Sequence, residues 1–225
     1  MKEKRVFYCE ISYIVGIIVL ALGTAFMERA NFGMSMVVAP AYLIHLKVSE
    51  FLPFFTFGMS EYVFQAFILG VLALVMKKFK KSYFLSFVTA FIYGIVLDAV
   101  MYVVGLLPFE GIGWNIVFFV AGLIICATGV ALLFHTYLPP EAYELFVKEI
   151  SHKYDISLGK IKTMYDCFSC VLSLVLTLGF YGTFIGVNWG TVVCTIFNGF
   201  LIGQIGKFLE IKFIFKDALD LRKFC

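Results

Sequence analysis

From Cys167 to Gly206 the chain runs 40 residues without an Asp, Glu, Lys or Arg. About 20 apolar residues suffice to cross a bilayer as a helix, so this stretch alone holds two crossings. Its internal turn signals, "GFYGTF" (179–184) and "GVNWG" (186–190), divide it. The same character extends elsewhere: 62% of the 225 residues are hydrophobic and only 15% charged. An ordinary soluble domain carries about 25% charged residues, and one of this size cannot bury so much apolar surface. The period-two alternation of a transmembrane barrel is absent. The sequence therefore predicts an all-α membrane protein whose first partner is the lipid bilayer.

Hydropathy places six spans at about 11–27, 59–76, 83–104, 113–134, 163–181 and 187–206. The first follows the basic "MKEKR", the pattern of a signal peptide. It is long for a signal core and has a counterpart later in the chain, so it reads as a retained helix. Lys and Arg divide 16 against 2 between alternate loops, which puts both termini in the cytoplasm. The net charge of +3, with no basic patch interleaved with aromatics, gives no sign of a nucleic-acid partner. The six cysteines (Cys9, Cys126, Cys167, Cys170, Cys194 and Cys225) avoid the predicted outer loops, so no disulfide framework is implied.

Loop lengths recur: one span, a segment of about 31 residues, two closely joined spans, and then the same order again. Offset by 106, "ALGTA" (21–25) falls on "ATGVA" (127–131); offset by 105, Gly94 falls on Gly199, Met59 on Met164 and Glu61 on Asp166. Each unit holds an odd number of spans, so the two must lie inverted, as in many secondary transporters. The expected architecture is six transmembrane helices in two inverted three-helix repeats, 1–110 and 111–225. Each repeat carries a short interfacial or re-entrant helix after its first span. The breaks that begin those segments are "GTAFMERANFGMS" (23–35) and "FHTYLPPE" (134–141). After the second, "PPEAYELFVKEI" (139–150) is amphipathic, with Pro opening it and Glu141 and Glu144 in its first turn. "SMVVAPAYLIHL" (35–46) is less regular, with Pro40 inside it.

"GTAFMERANFGMS", the paired triplets and the closing "GVNWGTVVCTIFNGFLIGQIGKFL" together resemble the YczE/YitT-type family of small bacterial membrane proteins. In that family Pro is common where this chain has Met36. The resemblance covers most of the chain and implies a multi-pass protein of the bacterial cytoplasmic (inner) membrane, of a kind often labelled a transporter. It implies no substrate and no site residues.

Polar residues at depth are the candidates for binding. Asp98, about two-thirds along the third span, has no base near it in sequence, and an acid there is costly unless paired, hydrated or protonated. It reads as a proton, cation or amine site, or else as an acid hydrated near the outer face or paired with Arg29. Glu61 and Gln65 share one helix face; the structural alternative is an acid placed at a helix N-terminus. Glu28 and Arg29 are adjacent and point about 100° apart on a helix, so each needs a partner elsewhere. With Asp98 and Glu61 they suggest an acidic outer vestibule suited to a cationic or zwitterionic substrate. Asn31 reads as a binding residue or a cap, and Asn198 lies mid-span in the sixth helix. "CFSC" (167–170) lacks the further ligands a zinc site needs. No phosphate loop, nucleophile elbow or HExxH is present, so catalytic residues, cofactor and metal are all expected to be absent.

These features predict a small-molecule permease working by alternating access, coupled to H+ or Na+. Two alternatives stand beside it. One is a substrate-capture subunit of an energy-coupling-factor vitamin importer, docking its ATPase partner through the small-residue face of "ALGTA". The other is a non-transporting assembly or regulatory protein. A homo-oligomer is compatible with each.

Overall fold

The computed structural model describes residues 5–219 apart from 157, 184 and 186. Lys2, Lys4, Cys225 and the rest of the tail from 220, which entered the charge and cysteine counts, lie outside the described residues, as do Phe184 and Gly186 of the two turn signals. The element order is β1 (Arg5–Tyr8), α1 (Cys9–Ala30), α2 (Ala39–Ser49), α3 (Phe57–Met76), α4 (Lys81–Gly105), α5 (Ile112–Phe134), α6 (Ala142–Tyr154), α7 (Leu158–Tyr181), α8 (Trp189–Lys212) and β2 (Phe213–Lys216). Among the described residues, six of the eight helices are long and apolar enough to cross a membrane, with mean hydropathy from 1.5 to 2.8. The protein is a multi-pass helical membrane protein.

Several boundaries differ from the sequence expectation, and three of them bear on the residues picked from it. Helix α1 continues through Glu28 and Arg29 and closes at Asn31, which adopts φ 54° and donates its N–H to the Glu28 carbonyl. The charged pair does not break the helix because both side chains find partners beyond it, described below. Pro40 does not interrupt α2; the helix begins at Ala39, and a proline in the first turn lacks only an N–H that would have no helical acceptor. Helix α7 begins five residues before the predicted span, which brings Lys162 onto it.

The centre of the bundle is the crossing of α1 on α5. Its closeness is set by two glycines: a Cβ at Gly23 would lie 2.5 Å from the Cys126 nitrogen, and one at Gly129 would lie 2.6 Å from the Leu20 nitrogen. Both obstructing atoms are backbone, so neither can swing aside. Close backbone approach through small residues is the usual basis of helix association in lipid, where the hydrophobic effect no longer favours one apolar surface over another. Helix α4 packs on α1 and α8 on α5; α2 lies against α3 and α7, and α6 against α7 and α3. Helices α3 and α4 pack along each other, whereas α7 and α8 scarcely touch.

The sequence gives no warning of β1 and β2. They pair in parallel, Arg5 opposite Phe213 and Tyr8 opposite Lys216, and hold both ends of the described chain at one end of the bundle. The Glu10 carboxylate fastens the pair, accepting from the Ala218 and Leu219 N–H groups and from the Tyr137 hydroxyl.

Gly23→Leu and Gly129→Leu should each lower stability by at least about 1–3 kcal/mol, the usual range for overpacking, because backbone stands in the way. A Cβ at Gly70, in α3, would have no atom of another element within 4 Å, so Gly70→Ala should be neutral or raise stability by up to about 1 kcal/mol. Thermal unfolding in detergent micelles measures both.

Candidate functional site

Helix α3 presents Phe57, Glu61, Phe64, Gln65, Ile68 and Leu72 to the interior, an apolar stripe broken by two polar residues one turn apart. Glu61 and Gln65 are both 0% exposed. A polar pair so deep needs partners from another element, and these come from a break in the chain.

After α5 the chain leaves helical geometry and returns into the bundle as "TYLPPE", residues 136–141. The Pro140 carbonyl accepts from Ser86 Oγ at 2.7 Å, and the Pro139 carbonyl from Thr89 Oγ1 at 3.1 Å. Those hydroxyls make the break tolerable: non-helical backbone at this depth survives only where protein satisfies it. Helix α6 starts beside the middle of α3, where the Ala142 N–H donates to Gln65 Oε1 at 3.0 Å. It ends near the close of α3, where Lys153 Nζ donates to the Val75 carbonyl. Ten residues of α3 separate these contacts, about 15 Å along the axis, so α6 descends into the bundle rather than lying flat across its end. A Lys80–Glu149 ion pair holds its outer turns.

The Ala142 bond fixes which way the Gln65 amide faces. Its oxygen is occupied, so its NH2 group points at two carboxylates: Glu141 Oε2 at 3.1 Å and Glu61 Oε2 at 3.3 Å. Glu61 Oε2 also accepts from the Tyr143 hydroxyl at 2.9 Å. Glu141 is 5% exposed, and burial, reinforced by the Glu61 and Glu144 carboxylates, pushes its pKa well above the usual range. Burial and Glu61 likewise push the Tyr143 phenol up. Glu61 Oε1 and Glu141 Oε1 have no hydrogen-bond partner among the described residues.

Beside this pair, Lys162 of α7 lies 3.4 Å from Glu144 and 3.3 Å from Asp166. Two spaces meet here. An inner cavity of about 50 Å³ is lined by Thr24, Tyr93, Glu141, Tyr143 and Asn198 among others. A cleft of about 740 Å³ between α7 and α8 reaches His135, Lys148, Lys207 and Glu210 at the end that carries the termini. Glu144 and Lys162 line both spaces.

The seven residues picked from sequence are thus divided. Asn198 lines the inner cavity, its Oδ1 without a hydrogen-bond partner among the described residues, while Glu61 and Gln65 stand behind the lining and bond to Tyr143 and Glu141, which do line it. Glu28, Arg29, Asn31 and Asp98 lie toward the opposite end and do not assemble with Glu61 into one vestibule. Asp98 caps α3, accepting from Gly58 N–H at 2.8 Å and Thr56 Oγ1 at 2.6 Å, where the positive end of the helix favours an anion. Arg29 does not pair with it; the guanidinium donates to the carbonyls of Gly105, Leu107 and Phe109. Glu28 accepts from the Tyr42 hydroxyl, whose pKa rises through burial and the nearby carboxylate. Asn31 closes α1. His45, bonded through Nδ1 to the Phe55 carbonyl, has its pKa lowered by burial. No group of three or more His, Cys, Asp or Glu poised for a metal ion occurs among the described residues.

Sequence reading missed Glu141, Tyr143, Glu144 and Lys162 as site residues. The signals were present: Glu141 directly follows two prolines, and Lys162 and Asp166 stand four apart. Asp98→Ala should cost about 1–3 kcal/mol in thermal unfolding, because it strands a buried N–H and a hydroxyl. Asp98→Asn, which keeps an acceptor, should cost less.

No curated protein matches the chain. No solved structure matches it either. A family model described as a family of unknown function, DUF6198, matches residues 7–207, and the chain belongs to that family.

Proposed function

We propose that the protein is a secondary transporter of the bacterial cytoplasmic membrane, carrying a cationic or zwitterionic small molecule by alternating access between two inverted repeats. The observation that carries this reading is an asymmetry. Helix α3 is sealed on α4 so closely that a Cβ at Gly58 would collide with the Gly94 carbonyl. Their counterparts at an offset of 105, Thr163 and Gly199, stand on opposite walls of the open α7–α8 cleft. One half is closed and the other open, and the open one leads toward the buried carboxylates. Rocking that seals Thr163 on Gly199 and parts Gly58 from Gly94 would expose the same site to the other side.

Reciprocal contacts support the inverted relation. An offset of 106 interchanges the Gly23–Cys126 and Leu20–Gly129 approaches at the α1–α5 crossing. The Phe32 carbonyl at the first break accepts from Gly190 N–H at the start of α8, just as Ser86 and Thr89 of α4 serve the second break. The excess of Lys and Arg at the terminal end supports a cytoplasmic position for that end, and on this reading the cleft opens inward. The YczE/YitT-type resemblance, with its transporter label, points the same way. The capture-subunit alternative needs a free small-residue face on α1, but Ala21, Gly23 and Ala25 are buried.

The test is a paired substitution, Thr163→Cys with Gly199→Cys, in a protein carrying Cys167→Ser and Cys170→Ser. A disulfide needs Cα atoms within about 7 Å, whereas a Cβ at Gly199 meets no atom of another element within 4 Å in the open cleft. Oxidative cross-linking in native membranes is the expected result; its absence, while each single cysteine still reacts with a maleimide, would refute the rocking. In a thermal-shift screen of amines and amino acids, Glu141→Gln should abolish stabilisation by any hit, and Asp98→Asn should retain it.

A further inference from the structure

Two buried acids that share one amide raise the question of what balances them. Glu61 and Glu141 come from different halves of the chain, and each has one oxygen on Gln65 Nε2 and one oxygen without a partner among the described residues. Lys162, a cation lining the same cavity as Glu141, is already held between Glu144 and Asp166. The other titratable groups around the pair are Tyr93 on α4, Cys126 on α5, Tyr143 and Glu144 on α6, and Tyr165 on α7. None of them supplies positive charge. Helices α1 and α8 face the cavity with Thr24 and Asn198, which do not ionise.

We infer that Glu61 and Glu141 form a shared proton site that holds one exchangeable H+ at neutral pH. The inference rests on the transporter reading only for its purpose, which is to couple proton release to substrate movement. A metal ion is a poorer occupant: the amide NH2, fixed by the Ala142 bond, turns its hydrogens toward both carboxylates. A proton fits, because two neighbouring carboxylates without a cation do not both ionise. It resides on one carboxyl as an O–H, using an oxygen that otherwise has no partner. The raised pKa of Glu141 agrees.

A route for the proton is also present. The inner cavity, at about 50 Å³, has room for water, which needs roughly 10–15 Å³ per molecule and polar neighbours. Glu141 and Asn198 line it, and Glu144 and Lys162 line both it and the cleft. On release the carboxyl O–H bond breaks, water takes the proton, and both carboxylates are left charged. A cation arriving through the cleft replaces that proton charge for charge, so the site's net charge is unchanged.

The sign of the pH dependence follows. The folded chain keeps this proton above the value near 4.3 at which an ordinary glutamate loses it. Stability therefore falls as pH rises from there to the folded midpoint, and levels off beyond it. Infrared titration of the protein in liposomes, from about pH 5 to pH 9, reads the protonated carboxyl directly through its carbonyl stretch. The wild type should show a protonated-carboxyl band at pH 7 that fades on raising pH, and Glu61→Gln with Glu141→Gln should remove it. Tyr143→Phe, which keeps the ring and loses one donor to Glu61, should raise the titration midpoint by about one unit. Absence of the band at pH 7 in the wild type, or its survival in the double variant, would overturn the inference. A midpoint unmoved by Tyr143→Phe would do the same. Cross-linking of residues 163 and 199 does not depend on this proton: a rigid bundle that still titrates would defeat only the transporter reading, and a rocking bundle without the band would defeat only the proton site.

Discussion

The arrangement depends on satisfying peptide groups where the chain stops being helical inside an apolar bundle. Within a helix each carbonyl and N–H has its partner four residues away; at 136–141 that ladder ends and no solvent is at hand. Ser86 and Thr89 supply donors to the carbonyls, and the Gln65 side chain supplies an acceptor to the first N–H of α6. Remove that support and α6 would have to move to the surface, taking Glu141 and Tyr143 with it. The site is a consequence of the break.

The same constraint explains the sorting of acids. Asp98 meets the free N-terminal groups of α3, where the Gly58 N–H and the Thr56 hydroxyl donate to its two oxygens. Glu141 and Glu61 meet one amide and one phenol, partners that orient a carboxyl without neutralising it. Acids of nearly identical chemistry thus stand in different settings, the first holding a helix in place and the others sharing a single amide donor. Arg29, the cation expected to compensate Asp98, instead binds three carbonyls at the end of α4 and the following loop.

Packing follows a related logic. Where backbones must touch, as at Gly23 and Gly129, no side chain can intervene and the crossing is fixed. Where they are held apart, as along α7 and α8, space remains and Gly199, Gly203 and Gly206 line it. The two pairings α3–α4 and α7–α8 occupy matching places in the chain yet differ in closeness. Apolar helices in lipid have little preference between such arrangements beyond contact and hydrogen bonding, which makes a change between them physically accessible.

Much of this was legible beforehand. Absence of charge over spans of about 20 residues fixes the number of crossings, since lipid tolerates nothing else. The i, i+4 spacing placed Glu61 and Gln65 on one face, and the offset matches located Gly23, Gly129, Gly94 and Gly199. Hidden were the strands β1 and β2, short segments at opposite ends of the chain whose pairing is entirely non-local. Hidden too was the depth of α6, because an amphipathic pattern is the same whether its polar face meets water or buried glutamine. By itself the sequence determined which segments cross and which residues are too polar for lipid, because hydrophobicity and helical period are local properties. Only the tertiary structure decided that Gln65 would stand between Glu61 and Glu141, a residue 76 positions away, because hydrogen bonds in a dry interior are made by whatever the fold brings within about 3 Å.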